Sequence, residues 1–216
     1  MSLFQGRSLT CNRGGRTVFA NLDFAVSAGE TLVMRGPNGS GKSSLLRLMA
    51  GLSRPEAGEI SWDGEAVSED PEAHGARLHY VGHLDAVKPA LTVAENLSVW
   101  AGLRAADQSG VERALARFGL DRLAEIPARL LSAGQRRRLA LARIEATPAP
   151  LWLLDEPTIA LDVTAVAALE SAIAEHCHGG GIAVVSSHVD LGLERTEALE
   201  LGDFAVDPDA AWGLAL

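Results

Sequence analysis

The hydrophobic positions of this chain change their period repeatedly. Over 3–11 and 17–26 they come in short runs, with strict alternation through Leu22-Asp23-Phe24-Ala25-Val26, before a Ser27-Ala28-Gly29-Glu30 turn leads into Thr31-Leu32-Val33-Met34. Short apolar runs bounded by turn residues predict strands, so the chain opens with a mixed β prelude. Next comes helical spacing in Ser44-Leu45-Leu46-Arg47-Leu48-Met49-Ala50, closed by Gly51 as a helix terminus is. A turn at 55–58, a strand at 59–62 with an Asp63-Gly64 hairpin, a polar surface connection over 65–77 and a strand at 78–82 follow.

From 92 to 146 the sequence is rich in Ala, Leu, Arg and Glu, and the period is helical over 92–103, 111–118 and 134–145, with a Thr92/Glu95 capping box. Two unbroken apolar runs, 151–155 and 182–187, then predict strands buried on both faces, separated by a helix over 163–177 and the Gly179-Gly180-Gly181 break. The tail over 199–206 predicts a terminal hairpin. Strand and helix alternating in this way imply an α/β fold with a parallel core sheet flanked by helices. The expectation is a single domain, 1–216, in which 1–91 and 147–216 form the core and 92–146 a helical insertion.

Gly36-Pro37-Asn38-Gly39-Ser40-Gly41-Lys42-Ser43 lies between the predicted strand and helix and matches the phosphate-binding pattern GxxxxGK(S/T). The glycines let backbone N–H groups turn inward on a polyphosphate, and the helix beginning near Lys42 and continuing through Ser44 adds its positive end. Lys42 is expected to reach the β- and γ-phosphates, and the Ser43 hydroxyl to bind Mg²⁺. Asp155 and Glu156 end a buried strand more than a hundred residues later. At the carboxyl end of a parallel strand beside such a loop, Asp155 can hold Mg²⁺ and Glu156 can polarise the attacking water.

Composition narrows the partners. With 216 residues, 47% hydrophobic and 22% charged, the chain has ample core for one domain, and the first residues lack the apolar core of a secretory signal, which predicts a cytoplasmic protein. The net charge of −9 argues against nucleic acid as the main partner. The basic cluster Arg136-Arg137-Arg138 with Arg143 sits on a predicted helix, where neighbours point in different directions; the expectation is a solvated face or intersubunit contacts. Cys11 and Cys177 are too few for a disulfide framework. His176-Cys177-His178 lies at a helix end where residues two apart face different ways, which argues against haem ligation there.

Leu131-Ser132-Ala133-Gly134-Gln135, opening a helix just before the strand that ends in Asp155-Glu156, resembles the signature loop of ATP-binding cassette (ABC) proteins, with Ala133 where the first glycine of LSGGQ usually stands. The resemblance implies that Ser132, Gly134 and Gln135 address the γ-phosphate bound by a second nucleotide-binding subunit. It implies also that His188 is the switch histidine, a catalytic residue beside Glu156 and Lys42, and that Ile159-Ala160-Leu161-Asp162 is the D-loop. Two positions depart from the family pattern. His83 stands where a glutamine usually touches Mg²⁺, through water if at all, and Arg13 stands at the adenine-stacking position.

Gly82-His83 and the alanine-containing signature, with Leu9-Thr10-Cys11-Asn12-Arg13, the stretch 50–59 and Leu91-Thr92-Val93-Ala94-Glu95-Asn96-Leu97, resemble the ATP-binding subunits of bacterial cytochrome c maturation, the haem exporter family. That resemblance implies an ATPase using ATP and Mg²⁺, peripheral on the cytoplasmic face of the inner membrane. Its implied partners are integral membrane subunits and, indirectly, a haem chaperone. An exporter for another substrate would carry the same catalytic residues. A soluble ABC-type ATPase acting on nucleic acid or ribosomes would usually carry a long coiled-coil insertion or two cassettes, and this sequence has neither.

Overall fold

The computed structural model describes residues 2–104, 106–189 and 191–206. In chain order the elements are β1 (Leu3–Arg13), β2 (Arg16–Ser27), β3 (Thr31–Arg35), α1 (Lys42–Met49), β4 (Ala57–Trp62), β5 (Glu65–Ala66), α2 (Pro71–Ala76), β6 (Leu78–Val81), α3 (Val93–Leu103), α4 (Gln108–Arg117), α5 (Ala133–Ala146), β7 (Leu151–Asp155), α6 (Val163–His178), β8 (Ile182–Ser186) and β9 (Thr196–Glu200). Two sheets form. One is antiparallel, in the order β2-β1-β4-β5; the other is parallel, in the order β6-β7-β8-β3-β9.

The unbroken apolar runs explain how the parallel sheet is covered on both faces. Side chains alternate along a strand, so Leu151 and Leu153 of β7 and Ile182 and Val184 of β8 join Phe4, Leu22, Leu45 and Leu46 in the core shared with the antiparallel sheet and α1. Trp152, Leu154, Ala183 and Val185 point the other way, into a core built with Leu97 of α3, Leu115 of α4, Leu139 of α5 and Leu169 of α6. The helices α3 to α5 all fall between β6 and β7, and the Thr92/Glu95 capping box closes at 3.1 and 2.8 Å. Among the described residues no helix is long and apolar enough to cross a membrane.

Two segments differ from the sequence expectation. The polar stretch 65–77 contains a short helix, α2, because Asp70 caps Ala73 N at 2.9 Å and Pro71 fits the first turn; its His74 is buried, with Nε2 2.8 Å from Met49 O and its ring stacked on Phe4. The tail does not fold back on itself. Instead β9 pairs in parallel with β3, a 3₁₀ turn covers Leu201–Phe204, and Ala205 bridges to Phe19 in the other sheet. A terminal segment that can close the edge of a parallel sheet leaves fewer unpaired backbone groups than an isolated hairpin does.

Candidate functional site

The site lies at the carboxyl ends of β3, β7 and β8, where α1 begins. Left-handed Gly41, at φ 102°, sits at the helix N-cap without a side-chain cap, so the first N–H groups of α1 are offered to a ligand. A side chain at 41 would strike Val18 Cγ1 at 2.7 Å, which explains why this position needs glycine sterically as well as conformationally. A cavity of about 340 Å³ opens over the loop, lined by Arg13, Val18, Asn38, Gly39, Gly41, Lys42, Ser43, Ser44, Asp155 and Glu156. Pro37 and Gly36 border a neighbouring opening with His188, while the buried Ser40 Oγ lies against Gly36.

Lys42 is buried under this cavity. Its Nζ donates to Gly36 O at 2.7 Å and Pro37 O at 3.3 Å, lies 3.2 Å from His188 Nε2, and is 4.0 Å from Glu156 Oε1. His188 Nε2 is also 3.1 Å from Asn38 Oδ1 and 3.3 Å from Glu156 Oε1. That Glu156 oxygen is buried beside these two groups yet makes no hydrogen bond of good geometry, which leaves an unsatisfied acceptor in the wall of the cavity. Ser43 and Asp155 supply oxygen donors to the same cavity, the donor chemistry that a hard divalent cation such as Mg²⁺ takes.

Two residues that sequence reasoning missed hold the acidic pair. Ser186 Oγ donates to Asp155 Oδ1 at 2.7 Å and accepts from Glu156 N at 2.9 Å, so the neighbouring strand orients both residues. The signal in sequence was slight: a small polar residue ending the apolar run of β8. Arg137 donates to the carbonyls of Asp155 and Glu156 and is buried, as is Arg143, which donates to Tyr80 O and lies over the Trp100 ring. The basic cluster is therefore not a solvated face. Arg137 and Arg143 brace the interior, and Arg138 donates to Phe118 O at 3.0 Å. Burial holds the Arg143 guanidinium down to about 10, still cationic at neutral pH.

The remaining candidates are set apart. Arg13, at the end of β1, is exposed at the cavity rim and donates from Nε to Ser44 Oγ at 3.4 Å. His83 is exposed and outside the residues lining the cavity, although its neighbour Gly82 is tied to Arg137 through its carbonyl at 2.9 Å. Ser132, Gly134 and Gln135 open α5, away from the cavity lining of their own chain; Ser132 Oγ accepts from Gln135 N at 3.2 Å, and Gln135 Oε1 accepts from Ser132 N at 2.8 Å. His176, Cys177 and His178 go separate ways: His176 stacks on Trp152 at 3.8 Å, Cys177 Sγ meets Thr31 Oγ1 at 3.3 Å, and His178 Nδ1 meets Ala174 O at 2.8 Å.

The ABC transporter family model matches residues 19–159. The chain is 57% identical over 209 residues to the cytochrome c biogenesis ATP-binding export protein CcmA of Paramagnetospirillum magneticum, covering 95% of this chain and 96% of that protein. It is 55% identical over 215 residues to the protein of the same name from Rhodospirillum rubrum, covering 100% of this chain and 92% of the relative. A solved ATP-binding subunit of an ABC transporter superposes with a TM-score of 0.83 at 26% identity, over 93% of this chain and 87% of that one. A dimeric post-hydrolysis ATP-binding cassette, MJ0796 bound to ADP and Pi, superposes with a TM-score of 0.80 at 24% identity, over 92% and 95%. With the phosphate loop, the acidic strand end and the helix-opening signature gathered on this fold, the chain belongs to the ABC transporter family as one of its ATP-hydrolysing subunits.

Proposed function

We propose that this chain energises an exporter for cytochrome c maturation, working as a pair of copies beneath integral membrane subunits on the cytoplasmic face of the inner membrane, with a haem chaperone served downstream. The observation that carries this reading is the 57% and 55% identity, over 95% and 100% of the chain, to relatives named for that process. The neighbour that is a dimer bound to ADP and Pi supports the pairing through its fold.

In this reading the backbone of 36–41 and the N-terminus of α1 receive the β- and γ-phosphates, and Lys42 exchanges its bonds to Gly36 O and Pro37 O for phosphate oxygens. Ser43 and Asp155 would hold Mg²⁺, with His83 brought in only through water. When bound, Mg²⁺ would neutralise charge developing on the phosphates. Glu156 orients the attacking water, while His188, within 3.3 Å of that carboxylate, contacts the γ-phosphate. Arg13 stacks its guanidinium on the base. Ser132, Gly134 and Gln135 close over the nucleotide of the other copy. The core, 1–91 and 147–216, carries the nucleotide, and the insertion, 92–146, carries the closing surface.

Purification from native membranes in mild detergent, followed by mass spectrometry with a Lys42→Ala control, tests the assignment. Recovery of cytochrome c maturation membrane subunits is the expected result. Recovery of a different permease overturns the haem reading and leaves an ATPase of another exporter.

A further inference from the structure

One guanidinium on α5 gathers five acceptors from two other segments. Arg137 donates from Nη2 to Asp155 O at 2.8 Å and Glu156 O at 2.9 Å, from Nε to Pro157 O at 3.4 Å, and from Nη1 to Gly82 O at 2.9 Å and Asp85 Oδ1 at 3.2 Å. It is only 5% exposed. A buried cation must be fully hydrogen-bonded wherever it lies, so the informative point is which groups it serves. Here they are the peptides around Glu156 and the loop that follows β6.

Glu156 stands in the left-handed region at φ 44°, a conformation that costs a non-glycine residue energy and persists only where neighbours impose it. Arg137 imposes it from the carbonyl side and Ser186 from the amide side, through Glu156 N at 2.9 Å. The backbone is clamped at both ends while the carboxylate oxygen Oε1 is left without a hydrogen bond. The same guanidinium that fixes the carbonyls of 155–157 also holds Gly82 and Asp85, on either side of His83 and Leu84. A displacement of that loop must therefore move Arg137 or break its bonds.

We propose that Arg137 is a positioning residue for hydrolysis: it aims the Glu156 carboxylate and links its aim to the position of the 82–85 loop. The inference rests on Glu156 orienting the water and on two copies closing over ATP. Lysine at 137 would keep the charge but place its three donors on one nitrogen, where the site needs a planar fork that reaches two segments.

The test uses the full chain with MgATP and three variants, Arg137→Lys, Asp85→Asn and, as reference, Glu156→Gln. Three quantities are read: nucleotide affinity and stoichiometry, turnover per bound nucleotide, and the ATP-held dimer by size exclusion with light scattering. For Arg137→Lys, affinity stays within about threefold while turnover per bound nucleotide falls at least about tenfold, the scale of a catalytic group displaced by a fraction of an ångström to an ångström. Slow hydrolysis with intact binding should also make the ATP-held dimer accumulate, the outcome expected of Glu156→Gln. A variant that had merely lost packing would bind less nucleotide and stay monomeric. Asp85→Asn, which leaves the carbonyl contacts in place, shows the same split at about two- to fivefold, the scale of one exposed or half-exposed ionic contact. Wild-type turnover in both variants overturns the proposal, as does loss of nucleotide binding or dimer in both. If Glu156→Gln itself fails to accumulate dimer, the reading of the site beneath the proposal is what fails.

Discussion

The phosphate loop and the signature loop each open a helix, yet they are finished differently. At the start of α1 the N-cap is a bare left-handed glycine, and the Lys42 cation is buried among its own chain's carbonyls, with His188 and Glu156 within 4.0 Å. At the start of α5 the cap is complete in itself, Ser132 and Gln135 satisfying each other's backbone amides, and both Ser132 and Ala133 are exposed. The first leaves its helix N-terminus uncapped on the cavity above Lys42. The second satisfies its own cap and lies outside the cavity lining of its chain, which fits the proposal that it serves the nucleotide of another copy.

The comparison breaks most sharply at Lys42. Lys42→Ala removes the charge beneath the cavity, and nucleotide affinity of the single chain should fall about a hundredfold by equilibrium binding, the scale of charged hydrogen bonds lost; unchanged affinity would mean that the two loops share the burden in one chain. The next effect sharpens the contrast through α5. His79 Nε2 lies 2.9 Å from the carbonyl of Thr147, the C-cap of that helix, and burial pushes the imidazole down to about 3. Between that value and the ordinary 6.5 the unfolded chain binds the extra proton, so stability is present above pH 6.5 and lost as pH falls. From pH 7 to 5 this one group should remove about 2 kcal/mol, read by denaturant unfolding, and His79→Gln should flatten that part of the slope. Smallest is Gly134→Ala. Its Cβ would stand 2.8 Å from Ala160 O, so the signature loop must shift; turnover should fall about tenfold with single-chain nucleotide affinity unchanged, in steady-state and binding assays side by side.

Much of this was readable in the chain itself. The strands β7 and β8 followed from apolar runs that had to be buried on both faces, and the phosphate loop from glycines that only a tight, ligand-facing turn requires. What escaped was set by tertiary partners. Arg137 read as one of several surface arginines because the run Arg136-Arg137-Arg138 hides which member faces inward, and only the carbonyls brought to it by β6 and β7 settle the matter. Ser186 escaped because a serine at a strand end has no distinctive pattern until Asp155 lies 2.7 Å away on the neighbouring strand. The tail read as a hairpin since local turn chemistry says nothing of the vacant edge of β3 that β9 fills.

The central claim, that the signature loop serves the nucleotide of a second copy, is tested most directly by cross-linking between two differently tagged chains, one Asn38→Cys and the other Ser132→Cys, each also Glu156→Gln to hold ATP. The account predicts a disulfide-linked heterodimer that forms with MgATP and is absent without nucleotide. No cross-link between the chains at saturating MgATP, or an equal cross-link without nucleotide, would contradict it.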